Sequence, residues 1–133
     1  MRDKSFDIVR SIGLSLPGVR EAIKYDGSPI LKVDGMFMAG MALDGSAEPG
    51  TLVVRADPEQ RQCLLEDAPD IYYLTDYHRR YPVVLVRLSR VDRDALRDLL
   101  SVSRRLTLAK RRRGERYADS ISGLADSRSG IEG

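Results

Sequence analysis

The 133-residue chain predicts a two-layer α+β fold, one antiparallel sheet covered by helices on one face. Three observations carry that prediction. Strand-like segments are grouped between residues 21 and 55 rather than alternating with helices, which argues for a meander and against a parallel βαβ sheet. Asp34-Gly35 stands between two apolar runs, the pattern of a type I′ hairpin, whose central positions both need positive φ. Segments of helical spacing lie on either side of this block. The predicted order is helix, a meander of three or four strands, helix, strand, helix, all within the length of one domain.

Ser5 is the N-cap of a first helix over about residues 5–14, with Phe6, Ile8, Val9 and Ile12 at helical spacing and "LPG" as the stop. "EAIKY" supplies a short strand. Ile30, Lys32 and Asp34 alternate with Leu31 and Val33, and "TLVVRA" is β-branched. "MFMAGMAL" holds three of the four methionines and reads as a core strand, with an adaptable apolar surface as the other reading. Asp57, Pro58 and Gln60 form a capping-box pattern opening a second helix, with Cys63 and Leu64 facing inward and Pro69 ending it. "PVVLVRL" is a short buried strand. Asp92 caps the last helix, where Leu96, Leu99, Leu100, Ser103 and Leu106 trace one face. From Lys110 the apolar period stops. Residues 1–109 are therefore the predicted domain, and 110–133 a basic segment running into a loose tail.

Charge is unevenly distributed. The formal total is +2, yet residues 1–103 sum to −2, "RRLTLAKRRRGER" at 104–116 to +6, and the last stretch to −2. No apolar run is long enough for a membrane span, and the charged N-terminus does not read as a signal peptide. One cysteine excludes an internal disulfide and suits a reducing compartment, so a cytoplasmic protein is expected.

Little catalytic chemistry can be built. His78 is the sole histidine; Asp76, two residues away in a predicted loop, could orient it, but a partly exposed loop histidine is the plainer reading. One His and one Cys without spaced acids make no zinc site, and Cys63, past the first helical turn, reads as a small buried hydrophobe. "DGSAEPG" lacks the Lys-Ser/Thr and the following helix of a phosphate loop. No metal, cofactor or enzymatic activity is expected.

Two segments carry binding chemistry. "YYLTDYHRRYP" holds four of the six tyrosines. It reads first as a clasp covering a sheet edge; the alternative is a nucleic-acid surface on which tyrosines such as Tyr72 and Tyr77 stack bases and Arg79 and Arg80 contact phosphates, with His78 a further candidate contact. Lys110, Arg111, Arg112 and Arg113, with Arg104 and Arg105, form a cationic run at the end of the last helix. Such a run complements the helix dipole and can also neutralise several phosphates.

"LPGV" after a first helix, "PILKVDGMFMA", "VVRADPEQRQCLLEDAP", the Tyr-rich stretch leading into "VVLVRL" and "DRDALRDLLSVSRRL" together resemble the MmcQ/YjbR family of small bacterial proteins over about residues 5–108. The resemblance implies a two-layer α+β domain similar to secretion-chaperone and frataxin-like folds, and a DNA-binding role. Many members carry a His-Trp pair where this chain has Tyr81-Pro82. The expected function is non-enzymatic DNA binding, duplex or single-stranded, through largely sequence-independent phosphate contacts from the basic C-terminal segment. The alternative is an adaptor that takes a protein partner, or a second copy of itself, on the sheet face or edge.

Overall fold

A computed structural model describes residues 4–24, 27–42 and 45–113, with side chains from Phe6 to Lys110. In chain order the elements are α1 (Lys4–Gly13), β1 (Val19–Ile23), β2 (Pro29–Val33), β3 (Met36–Met41), β4 (Thr51–Arg55), α2 (Pro58–Asp67), β5 (Tyr72–Tyr73), α3 (Asp76–Arg79), β6 (Val83–Arg87) and α4 (Arg93–Arg113). The strands form one antiparallel sheet ordered β1-β2-β3-β4-β6-β5. The predicted α+β class holds, with four strands in the meander. The Tyr-rich segment adds β5 and α3, which the sequence does not announce.

Asp34 (φ 53°) and Gly35 (φ 79°) make the predicted β2–β3 turn. Asp57 caps α2 by accepting from the Gln60 N–H at 2.8 Å, and Pro58 is its first residue. The reciprocal half of the capping box is missing: Gln60 Oε1 is buried without a partner. α2 contributes no buried residue. Leu64 and Leu65 are its half-buried contacts with the core, and Cys63 faces solvent, contrary to the inward position expected for it. The reason is position: α2 touches little of the sheet beyond the short edge strand β5, so only a narrow stripe is covered.

The main core lies between the sheet and α1, α2 and α4. Phe6, Val9 and Ile12 of α1 and Leu96, Leu99 and Leu100 of α4 pack on Leu31, Met38, Leu52, Val54, Val84 and Val86. Ser103 continues the α4 face, donating to Met38 O at 3.1 Å, and Thr107 follows it into the interior, whereas Leu106 is only half-buried. α4 stays helical through Arg113, beyond the expected end of its period.

The reverse face carries a second core of Ile30, Phe37, Val53, Val83 and Leu85, covered by Tyr73, Tyr77, Tyr81, Ala42 and Ala47. Its centre is therefore closed rather than available as an open sheet face. Gly40 is required here, because a Cβ would lie 2.6 Å from Ile30 Cγ2 and 3.2 Å from Phe37 Cε1. Gly40→Ala is expected to lower stability by about 1–3 kcal/mol, the usual effect of overpacking. An unchanged urea midpoint would show that Ile30 can swing away freely.

Candidate nucleic-acid interface

The Tyr-rich segment wraps the β5–β6 edge of the sheet. Tyr72 turns under the helices into the main core, where burial raises its pKa, with nearby Asp92 adding to the shift. Tyr73 turns to the reverse face: its hydroxyl bonds Thr51 Oγ1 at 2.6 Å and accepts from the Glu48 N–H at 2.8 Å. Arg87 stacks 4.2 Å above the Tyr73 ring and forks the Glu48 carboxylate at 2.9 and 2.8 Å. That hydrogen bond is the first reason the Glu48 carboxyl is held below its ordinary value.

Thr75 caps α3. Its Oγ1 accepts from the His78 N–H at 3.2 Å and from Ser46 Oγ at 3.1 Å, and lies 2.7 Å from His78 Nδ1. His78 is 1% exposed, not the partly exposed loop histidine expected from the sequence. Asp76 does not orient it; the Asp76 side chain is fully open to solvent and lies 3.9 Å from Arg79. The expectation failed because Thr75 nucleates a helical turn, which puts positions 76 and 78 on different sides. Tyr72 and His78, being buried, cannot serve as nucleic-acid contacts. Arg79 and Arg80 are exposed, and Arg80 lies 5.8 Å from the Tyr77 ring centroid.

The cationic end of α4 lies elsewhere. Arg104 donates from Nε to Pro17 O at 2.6 Å, which ties the helix to the entry of β1. Beside it opens a cleft of about 700 Å³, lined by Arg20, Glu21, Lys32, Asp34 and Arg104 among others. Arg20 and Lys32 are direct cross-strand partners in β1 and β2. Like charges facing each other destabilise a sheet. Neither has an ion-pair partner among the described residues. The acid next to them, Glu21, is occupied by Arg10, which forks it at 2.8 and 2.9 Å and also bonds Asp7. Those bonds, Glu21 first, raise the Arg10 pKa. Asp34 stands at the rim as the opposing acid.

The sequence-predicted cations therefore fall into two groups. Arg79 and Arg80 sit on the reverse face near β6; Arg104, Arg105 and Lys110 sit on α4, with Arg104 beside β1. Strands β2, β3 and β4 separate β1 from β6. The side chains of Arg111, Arg112 and Arg113 lie outside the described residues, as does the tail from position 114. Arg20 and Lys32 were missed from sequence. The signal that could have found them is a second Asp-Gly pair in the sequence, Asp26-Gly27, a hairpin dipeptide of the same kind as Asp34-Gly35.

The comparisons agree with this architecture. The family model YjbR matches residues 14–106, from the end of α1 to the basic half of α4. The chain belongs to the YjbR family. Its YjbR domain thus contains Arg20, Lys32 and Arg104, while Lys110 to Arg113 fall beyond the matched segment. The crystal structure of the Deinococcus radiodurans protein DR2400, with a domain designated DUF419, shares the fold. The TM-score is 0.62 at 23% identity, covering 89% of this chain and 87% of that one. A search of curated proteins finds no match. Among the described residues, no cluster of three His, Cys, Asp or Glu could hold a metal, and no helix is long and apolar enough to cross a membrane.

Proposed function

We propose that this YjbR-family chain is a non-enzymatic DNA-binding protein of the cytoplasm. It holds the phosphate backbone in the cleft between the β1–β2 hairpin and α4, and the basic end of α4 extends that surface. One observation carries the proposal: Arg20 and Lys32 face each other across two strands, without acid partners, in the cleft that Arg104 also lines. A like-charged pair is costly unless an anion sits between its members, and a phosphate diester is such an anion. Of the two carboxylates that line the cleft, Glu21 is held by Arg10. Contacts of this kind position a duplex and read no sequence. His78 is shut away with Thr75 and offers no base to a substrate. The lone Cys63, facing solvent, has no second cysteine to pair with and suits reducing conditions.

The test is anisotropy of a labelled duplex over a salt series. Four contacts, from Arg20, Lys32, Arg104 and Lys110, give a slope of log K against log salt of about −3.6. Arg20→Ala with Lys32→Ala should flatten it by about 1.8, since each lost contact removes about 0.9. Binding that keeps its strength and slope in the double variant would move the site off this cleft. If the loss instead follows Arg79→Ala with Arg80→Ala, the α3 surface is the site.

A further inference from the structure

The two edges of the sheet are not equally protected. β5 is two residues long, and a short strand is a poor template for added chain. β1 runs five residues in continuous register with β2, without a bulge or proline. Lys24 donates to Ser28 O at 2.9 Å, so residues 24, 22 and 20 turn their main-chain groups toward β2. By alternation, Glu21 and Ile23 turn theirs outward. Among the described residues, the exposed large hydrophobics are Leu14 (43%) and Ile23 (63%). Ile23 ends β1, and Leu14 lies in the turn that leads into Val19 at its start.

We infer that β1 pairs antiparallel with β1 of a second copy of this chain, about a two-fold axis at Glu21, joining the two sheets into one. The edge is self-complementary in that register. Ile23 of each copy comes opposite Val19 of the other, beside the turn holding Leu14, so an exposed side chain at one end covers the apolar turn at the other. Val19, Glu21 and Ile23 share the helix-covered face by alternation, and a two-fold perpendicular to the sheet keeps them there. Arg20 meets Ala22 of the other copy, a pair with neither bulk nor like charge against it. Glu21 meets its own equivalent, which would repel in most strands. Here each carboxylate carries its own Arg10 fork, so the axis gathers two acids and two arginines rather than two bare acids. An unrelated extended peptide would satisfy the backbone equally well, but nothing in β1 selects its side chains, whereas a second β1 supplies the matching apolar end by symmetry. The pairing also leaves both Arg20–Lys32 pairs on one face of the joined sheet, although it does not depend on their binding DNA.

Sedimentation velocity of the full chain over a concentration series tests the pairing without nucleic acid. A dimer of twice the 14.9 kDa chain mass is expected, with a dissociation constant on the order of ten micromolar. Ile23→Pro removes an outward N–H and leaves the β1–β2 ladder intact; Ile23→Lys places a charge on the apolar contact without touching the backbone. Each should keep the parent circular dichroism and sediment as a monomer at concentrations where the parent is dimeric. Amide exchange at Glu21 and Ile23 should slow as the parent is concentrated. A parent chain that stays monomeric to 1 mM (on that scale, 100-fold above the expected constant) overturns the inference. So does a dimer that survives Ile23→Lys, or one whose Glu21 and Ile23 amides exchange as fast as in dilute solution.

Discussion

Arg55→Ala is expected to lower the unfolding free energy by about 3–5 kcal/mol, and Arg55→Met to restore most of that loss. Arg55 ends β4 on the reverse face, is 1% exposed, and donates from Nε and Nη2 to Phe37 O at 3.1 and 2.9 Å. Alanine removes both donors and empties a large volume beside Val83, its cross-strand partner. Methionine refills the volume and relieves the protein of a desolvated charge, while the hydrogen bonds to Phe37 O are given up. Against a stability of about 5–15 kcal/mol for a domain of this size, the alanine variant stands close to unfolding. Urea denaturation reads the difference directly: at a slope near 1–3 kcal/mol per molar, 4 kcal/mol moves the midpoint by roughly 2 M. An alanine variant within 1 kcal/mol of the parent would sink the argument, since it would mean that the site collapses without a cavity. The methionine variant also separates structure from binding. Its DNA affinity should equal that of the parent, because a buried guanidinium offers nothing to a phosphate, whereas a matched loss of affinity would show that Arg55 becomes accessible.

The contrast between Arg55 and Arg20 shows where sequence reading stops. Each is the one cation of a five-residue strand. One is shut inside the second core and the other opens to a cleft, because β4 is central and β1 is an edge. Sheet order is a long-range property that spacing does not contain. What was legible was local: the Asp34-Gly35 turn, the Asp57 cap, and the α4 face through Leu96, Leu99 and Leu100. The misplacements of Cys63 and His78 share one cause. Each was judged from its own segment, but Cys63 is exposed because α2 covers a two-residue strand, and His78 is buried because Thr75 caps a turn that folds it inward. The tyrosines were legible as a clasp and illegible as to side: one residue separates Tyr72 in the main core from Tyr73 on the reverse face. The basic run of α4 was visible in the charge count. Its neighbours Arg20 and Lys32 were not, because only strand pairing brings them together.

Phe37→Ala is the second large effect, expected to cost about 3–5 kcal/mol, with Phe37→Leu costing about 1. Phe37 is fully buried at the centre of the reverse-face core. Gly40, which lies against the ring, has no side chain to move into the vacated space, so relaxation falls to the other members of this core and the loss should lie high in the range. The functional consequence follows from the register. Phe37 is the cross-strand partner of Lys32, beside the irregularity between Leu31 and Lys32, and Lys32 in turn pairs with Arg20. A cavity under Phe37 therefore loosens the strand that presents the cationic pair. At a temperature where Phe37→Ala remains folded, its duplex affinity should fall several-fold while Phe37→Leu binds as the parent does. Equal affinity in all three would show that the Arg20–Lys32 geometry is held by the hairpin alone. A stability loss below about 1 kcal/mol for the alanine variant would instead mean that Tyr77 or Tyr81 can drop into the vacated space, and that the second core is looser than its complete burial implies.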